Sequence, residues 1–440
     1  MDSVVSQPED APLVEGDSSY EAPKSHARDV HILSSAFLLV FLAYGAAQNL
    51  ESTVNTEENI GTTSLGILYL SFTIFSLVSS PVVRILGSKN ALVLGTTGYW
   101  LFVAANLKPS WYTMVPASIY LGFAASIIWV GQGTYLTSTA RNHAKDCYLH
   151  EGTVIGSFNG EFWGIFASHQ FIGNLITLAL LGDGKEGATS GTTLLFIVFL
   201  GSMTLGTMLM CFLRKTDNKA EEGPPKSYTN LYSFVVSLLK LVIAPLFDIR
   251  MLLIIPLIAY SGLQQAFVWA EFTKYIVTPA LGVSGVGGAM AVYGAFDALC
   301  SLAAGKFTSG LSSITIIVPG GALIQVIVLL WLFLKYSRLT SGLIGSLYPL
   351  LMAAMLGIGN GIFNTQLNAL LGILFRHDME GAFAQLKVWQ SASIAVVFFL
   401  SPHITLKAML VLMLIALCVS VCGFLFLTLW VERTFSSGSG

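Results

Sequence analysis

Long apolar runs separated by short polar breaks repeat along nearly the whole chain. They fall near 30–50, 63–85, 90–107, 111–138, 152–181 and 191–213, then near 250–276, 284–304, 312–335, 341–374, 382–400 and 404–430. Each run is continuous instead of alternating, which predicts a helix and not a barrel strand. About 20 apolar residues carry a helix across hydrocarbon, so every run is close to one crossing. The polar, proline-containing stretch between the two sets of six runs divides the chain in half. The expected organisation is a polar tail over 1–29, a six-helix bundle over 30–213, a linker over 214–249 and a second bundle over 250–431. Residues 432–440, rich in Ser and Gly, read as a tail or flexible linker.

Composition sharpens this to an all-α integral membrane protein. Hydrophobic residues make up 54% of the chain and charged residues only 10%, with a mean hydropathy of +0.72. A soluble core does not need so much apolar surface. The lipid bilayer is therefore the first partner. The net charge of −2 and the lack of a basic cluster argue against nucleic acid. Cys147, Cys211, Cys300, Cys418 and Cys422 fall in expected helices or at the expected cytosolic side, so no structural disulfide is expected. Lysines and arginines concentrate in loops on the side of the N-terminus, among them Arg84, Lys89, Arg141, Lys145, Arg214, Lys215 and Arg376. By the positive-inside tendency both ends are expected in the cytosol. Glu9, Leu13 and Val14 nearly match an acidic dileucine signal, so plasma membrane and vacuolar or endosomal membrane stay open.

The fifth run is the most informative. Gly152, Gly156, Gly160 and Gly164 recur every fourth residue, which clears one helix face for close packing where lipid supplies no hydrophobic drive. The same run carries Asn159, Glu161 and His169. A carboxylate at the centre of a spanning helix costs about 2.5–3.5 kcal/mol on insertion scales, so Glu161 is expected to face protein or water. Glu161 and His169 are eight residues apart, which sets them within about 80° and about 12 Å of each other on a helix. They are candidates for a solute or proton path, against a reading of Glu161 as a neutral packing group.

Other polar residues inside the runs extend the candidate path. Gln132 sits in the fourth run, Gln264 and Glu271 in the seventh, and Asp297 in the eighth. Asn360, Asn364 and Asn368 form a polar stripe in the tenth. For each, cavity lining competes with a hydrogen bond or ion pair between helices. Glu271 is expected to lie near the outer interface within reach of Lys274, and Lys387 to snorkel to the membrane surface. Trp129, Trp163 and Trp269 raise the alternative of a carrier for an organic metabolite or hormone. There is no Walker loop, nucleotide-binding glycine fingerprint, HExxH or CxxC, so no catalytic residue, metal or cofactor is assigned and an enzyme is not expected.

Two bundles of six helices joined by a long linker match the plan of the major facilitator superfamily, in which the substrate path lies between the halves. The stretches Trp129–Tyr135, Phe158–Phe162 continuing to Gln170–Leu175, and Gly359–Gln366 resemble the uncoordinated-ninety-three-like family, and the chain as a whole its plant branch. The resemblance implies that fold, about 12 transmembrane helices and no cofactor. The superfamily's loop between the second and third helices carries a glycine, an acid four residues later, then a glycine and basic residues. Here Ser80 and Arg84 replace the first glycine and the acid, while Gly87 and Lys89 are kept. Arg84, Gly87 and Lys89 are thus the gating-loop candidates, and loss of the acid predicts a weakened gating ion pair. For function the resemblance implies two things: a transporter fold that moves a small solute or cation such as potassium or a proton, linked in plants to potassium homeostasis, or a transport-incompetent regulatory or trafficking subunit for an ion channel or receptor.

Overall fold

The computed structural model describes residues 26–54, 60–181, 188–215, 243–335, 343–400 and 403–431. Glu57, Glu58, most of the linker, the N-terminal tail with Glu9, Leu13 and Val14, and the Ser/Gly-rich end lie outside them. Among the described residues the structure is helical, with no strand. The first half comprises α1 (His26–Val54), α2 (Ile60–Leu86), α3 (Ser88–Ala105), α4 (Trp111–Asp146), α5 (Glu151–Leu181) and α6 (Ala188–Cys211). The second comprises α7 (Ile249–Phe267), α8 (Thr278–Phe307), α9 (Leu311–Lys335), α10 (Leu343–Leu374), α11 (Met379–Leu400) and α12 (Leu406–Phe426). Among the described residues, nine of these are long and apolar enough to cross a membrane by composition alone. The three outside that group include α5 and α11, which carry buried polar groups.

Local chemistry marks the breaks. Gly87, at φ +77°, makes the left-handed turn between α2 and α3 that an L side chain would oppose. Asp248 begins α7 by accepting a hydrogen bond from the Arg250 backbone N–H at 2.8 Å, and Thr405 begins α12 by accepting from the Ala408 N–H at 3.3 Å. α7 continues as a π-helical stretch from Val268 to Val277, a geometry often found at functional sites.

The two halves meet along two main seams, α5 against α8 and α2 against α11, with further contact of α4 on α11 and α5 on α10. Small residues create the first seam. A Cβ on Gly160 would lie 2.5 Å from the Gly305 Cα. One on Gly152 would lie 2.8 Å from the Gly310 Cα. Gly156 and Gly164 are closed off in the same way by Thr308 and Leu302. Backbones therefore touch where ordinary side chains would hold the helices apart. The second seam includes a hydrogen bond from Thr73 Oγ1 to Ser391 Oγ at 3.1 Å and the stacked Tyr69 and Phe398 rings.

Candidate functional site

Charged groups from both halves converge where α1 and α5 begin, α2, α4 and α10 end, and α11 begins. We term this the terminal face, because α1 enters the bundle there. Arg84 of α2 reaches across to Asp378 at 2.9 Å and Glu380 at 3.6 Å. Arg141 of α4 binds Glu151 at 3.0 Å and donates to the carbonyl of Gly372, at the end of α10, at 2.6 Å. Glu151 also meets Arg376 of the second half at 3.0 Å. The turn between α10 and α11 is thus gripped by three helices of the first half. The acid that the superfamily loop would carry is absent, and Arg84 in its place on α2 meets acids at the start of α11. Gly87 shapes the adjoining turn, and Lys89 follows it on α3 at half-buried exposure.

Within the first half, the Nδ1 of His31 on α1 lies 2.5 Å from the Oε1 of Glu161. The carboxylate therefore has its own histidine from a neighbouring helix. His169 is a separate matter. Its Nδ1 donates to the Phe166 carbonyl at 2.6 Å, and its ring packs against Phe41 and Phe166. Glu161 and His169 are not brought together, and the aromatic packing of His169 fits a structural role better than a path. Asn159 donates to its own helix at the Ile155 carbonyl, 2.9 Å away. Gln132 is fully buried, with no protein partner for either side-chain atom among the described residues.

In the second half α7, α8 and α10 share a polar core. Asn360 Nδ2 donates to Asp297 Oδ2 at 2.7 Å, and Ser301 Oγ donates to Asp297 Oδ1 at 3.2 Å. Asp297 is thus held by neutral groups and has no basic partner among the described residues, contrary to an ion-pair role. Gln264 donates to the Leu356 carbonyl at 2.9 Å, and Gln265 to Asn364 Oδ1 at 3.4 Å. Asn368 bonds back to the Asn364 carbonyl at 2.8 Å. The asparagine stripe therefore serves contacts within and between helices as well as any path. Glu271 is fully buried on the π-helical stretch. Lys274 lies over the Tyr275 ring at 4.9 Å.

Lys387 also departs from expectation. It does not snorkel: it is 5% exposed, donates to Gln390 at 3.0 Å and lies 4.5 Å from the ring centroid of Trp129 on α4. Among the described residues it has no carboxylate partner. Position near a helix start suggested the interface, but α11 packs against the first half there. The roles of Arg141, Glu151, Arg376, Asp378 and Glu380 are not readable from sequence either. They are ordinary helix-end charges until the fold brings four helix ends together, and no local spacing signals that.

The family described as "Ion channel regulatory protein UNC-93" matches residues 52–425, spanning both halves. The chain belongs to the UNC-93 family. It is 71% identical over 410 residues to UNC93-like protein 3 of Arabidopsis thaliana, covering 92% of this chain and 88% of that one. It is 29% identical over 432 residues to the putative potassium channel regulatory protein unc-93 of Caenorhabditis elegans, covering 90% of this chain and 60% of that one. The fold is that of major facilitator transporters. The solved proton:xylose symporter XylE superposes with a TM-score of 0.67 at 13% identity, over 92% of this chain and 96% of that one. Apolar helices and family together make this UNC-93 protein a multi-pass membrane protein.

Proposed function

We propose that this UNC-93 protein moves, or governs the movement of, a small solute or cation by alternating access between its two halves, in the service of potassium homeostasis. The observation that carries the reading is the latch at the terminal face. The ion pairs that cross between the halves there, Arg84 to Asp378 and Glu380 and Arg376 to Glu151, are polar and partly exposed. Water replaces such contacts at little cost, whereas a dry apolar interface would resist parting. Rocking about the α2/α11 and α5/α8 seams then opens one face as the other closes. In this reading the terminal face is cytosolic and closed, and both ends of the chain face the cytosol of a plasma or vacuolar membrane. Glu161 and the α7, α8 and α10 polar groups line the path. The test is rubidium and proton flux into proteoliposomes holding the purified protein, with Glu161→Gln as the paired control. Flux that the variant loses at equal protein content supports transport with Glu161 in its path.

A second reading is favoured by the name of the Caenorhabditis elegans relative, a putative potassium channel regulatory protein. Here the chain is a transport-incompetent subunit of a channel, and the latch sets the shape it presents to its partner. A folded protein without flux that copurifies with a potassium channel in stoichiometric amount would select this reading.

A further inference from the structure

Lys387 is a buried cation whose hydrogen-bonding capacity is only partly used. An ammonium carries three N–H donors. One goes to Gln390 Oε1 at 3.0 Å, and Gln390 is itself held from α7, its Nε2 donating to Ser261 Oγ at 3.2 Å. The Trp129 ring centroid lies 4.5 Å from Nζ and that of Trp163 6.0 Å away. Among the described residues no carboxylate balances the charge. An ionisable group buried in a spanning bundle marks, by default, a ligand or ion site.

A second donor is left over beside it. Trp129 Nε1 is spent on the Tyr99 hydroxyl at 3.2 Å, but Trp163 Nε1 is buried without a partner among the described residues. The two indoles stack 7° from parallel with centroids 5.8 Å apart. α4 and α5 of the first half thus present one aromatic wall to Lys387 of the second. This junction is not sealed. Lys387, Trp163, Gln390 and Trp129 keep 5%, 5%, 7% and 9% of their surface accessible, whereas the neighbouring core rings of Phe37 and Phe162 keep none. Water-sized space therefore reaches the ammonium and the wall, although both lie between the halves.

The unspent groups are donors, and they carry one positive charge. A monoanion matches them, and a carboxylate accepts at both of its oxygens. The indole wall suits an apolar body attached to that carboxylate, which chloride would lack. We infer that Lys387 and Trp163, with the ring of Trp129, form a binding site for an organic monocarboxylate between the two halves. The site goes beyond the proposed function, because it stands whether the carboxylate is carried or only sets the state of a regulatory subunit. Lys387 and Gln390 belong to the second half and both tryptophans to the first, so occupancy ties α11 to α4 and α5.

The test is thermal unfolding of the detergent-purified full chain in sodium benzoate, or in sodium chloride of equal ionic strength with and without neutral benzamide. A ligand that binds only the folded state stabilises it, so millimolar benzoate is expected to raise the unfolding temperature by several degrees over both controls. Lys387→Met, which keeps an apolar chain in place of the lysine stem, should abolish the rise. Trp163→Phe, which keeps a ring but lacks the N–H, should reduce it. No rise over sodium chloride in the wild type would overturn the site, as would an equal rise with benzamide or a rise that Lys387→Met leaves intact. If Lys387→Met does not fold, Trp163→Phe decides alone, and an undiminished rise there overturns the site. Rubidium flux that persists without any benzoate effect would remove this site while leaving the proposed function standing, and a benzoate rise in a protein without flux would do the reverse.

Discussion

Arg84 Nη2 at the end of α2 lies 2.9 Å from Asp378 Oδ1 at the foot of α11. The pair joins halves 294 positions apart. Asp378 Oδ1 also accepts from the Gly381 N–H at 3.0 Å, so the same oxygen caps α11 and anchors it to α2. The acid of the superfamily loop is missing, and the basic Arg84 in its place pairs instead with acids at the start of α11.

A double-mutant cycle checks that logic. Arg84→Asp and Asp378→Arg should each lower the unfolding temperature of the purified protein, while the double variant recovers much of the loss. The coupling expected for a contacting pair is about 0.5–3 kcal/mol. Strict additivity would mean that the two side chains do not interact in solution.

The glycine seam predicts a position-dependent penalty. Gly160→Val places methyl groups into the Gly305 backbone, and overpacking of this kind costs about 1–3 kcal/mol or more. At Gly201 a Cβ meets nothing within 4 Å, so Gly201→Ala should be neutral. Size-exclusion profiles and melting temperatures of the two variants compare these effects, and equal behaviour would argue against direct α5/α8 contact.

Lys387 tests the cost of burying a lysine without a carboxylate partner. A buried ammonium without a carboxylate partner brings a desolvation cost that an isosteric apolar group avoids. Lys387→Met should therefore leave the melting temperature unchanged or raise it. A large drop in melting temperature would instead mean that the contacts with Trp129 and Gln390 outweigh the cost of burying the charge.

Asp248 carries a pH signature outside the membrane. Burial raises its pKa from the usual 3.8, but the Arg250 side chain and N–H outweigh that and leave it lowered. A group with a depressed folded pKa stabilises the native state above its unfolded value and loses that contribution as pH falls through the folded one. Wild type and Asp248→Ala should therefore differ by about 0.5–2 kcal/mol near neutrality. The difference should shrink as pH falls below about 4, the unfolded value, and vanish below the folded one. A difference that persists in strong acid would exclude charge as its origin.

Much of the architecture was legible along the chain because hydrocarbon imposes a strict local rule. The run expected near 152–181 became α5 at Glu151–Leu181, and that near 312–335 became α9 at Leu311–Lys335. The site was legible only in part. Asp297 and Asn360 stood out as polar groups in apolar runs, yet nothing in their separate contexts tied one to the other across 63 positions. Lys387 was misplaced because a helix start resembles an interface whether or not another helix covers it.

The residues by themselves determined that this is a helical membrane protein in two halves. Helix length and apolarity answer to the bilayer one segment at a time. Only the tertiary structure decided which polar groups meet: His31 with Glu161, Arg84 with Asp378 and Asn360 with Asp297. Those pairings depend on which helix faces pack together, and a contact between distant segments leaves no mark on the local pattern of either. The same packing buried Lys387 beside Trp129.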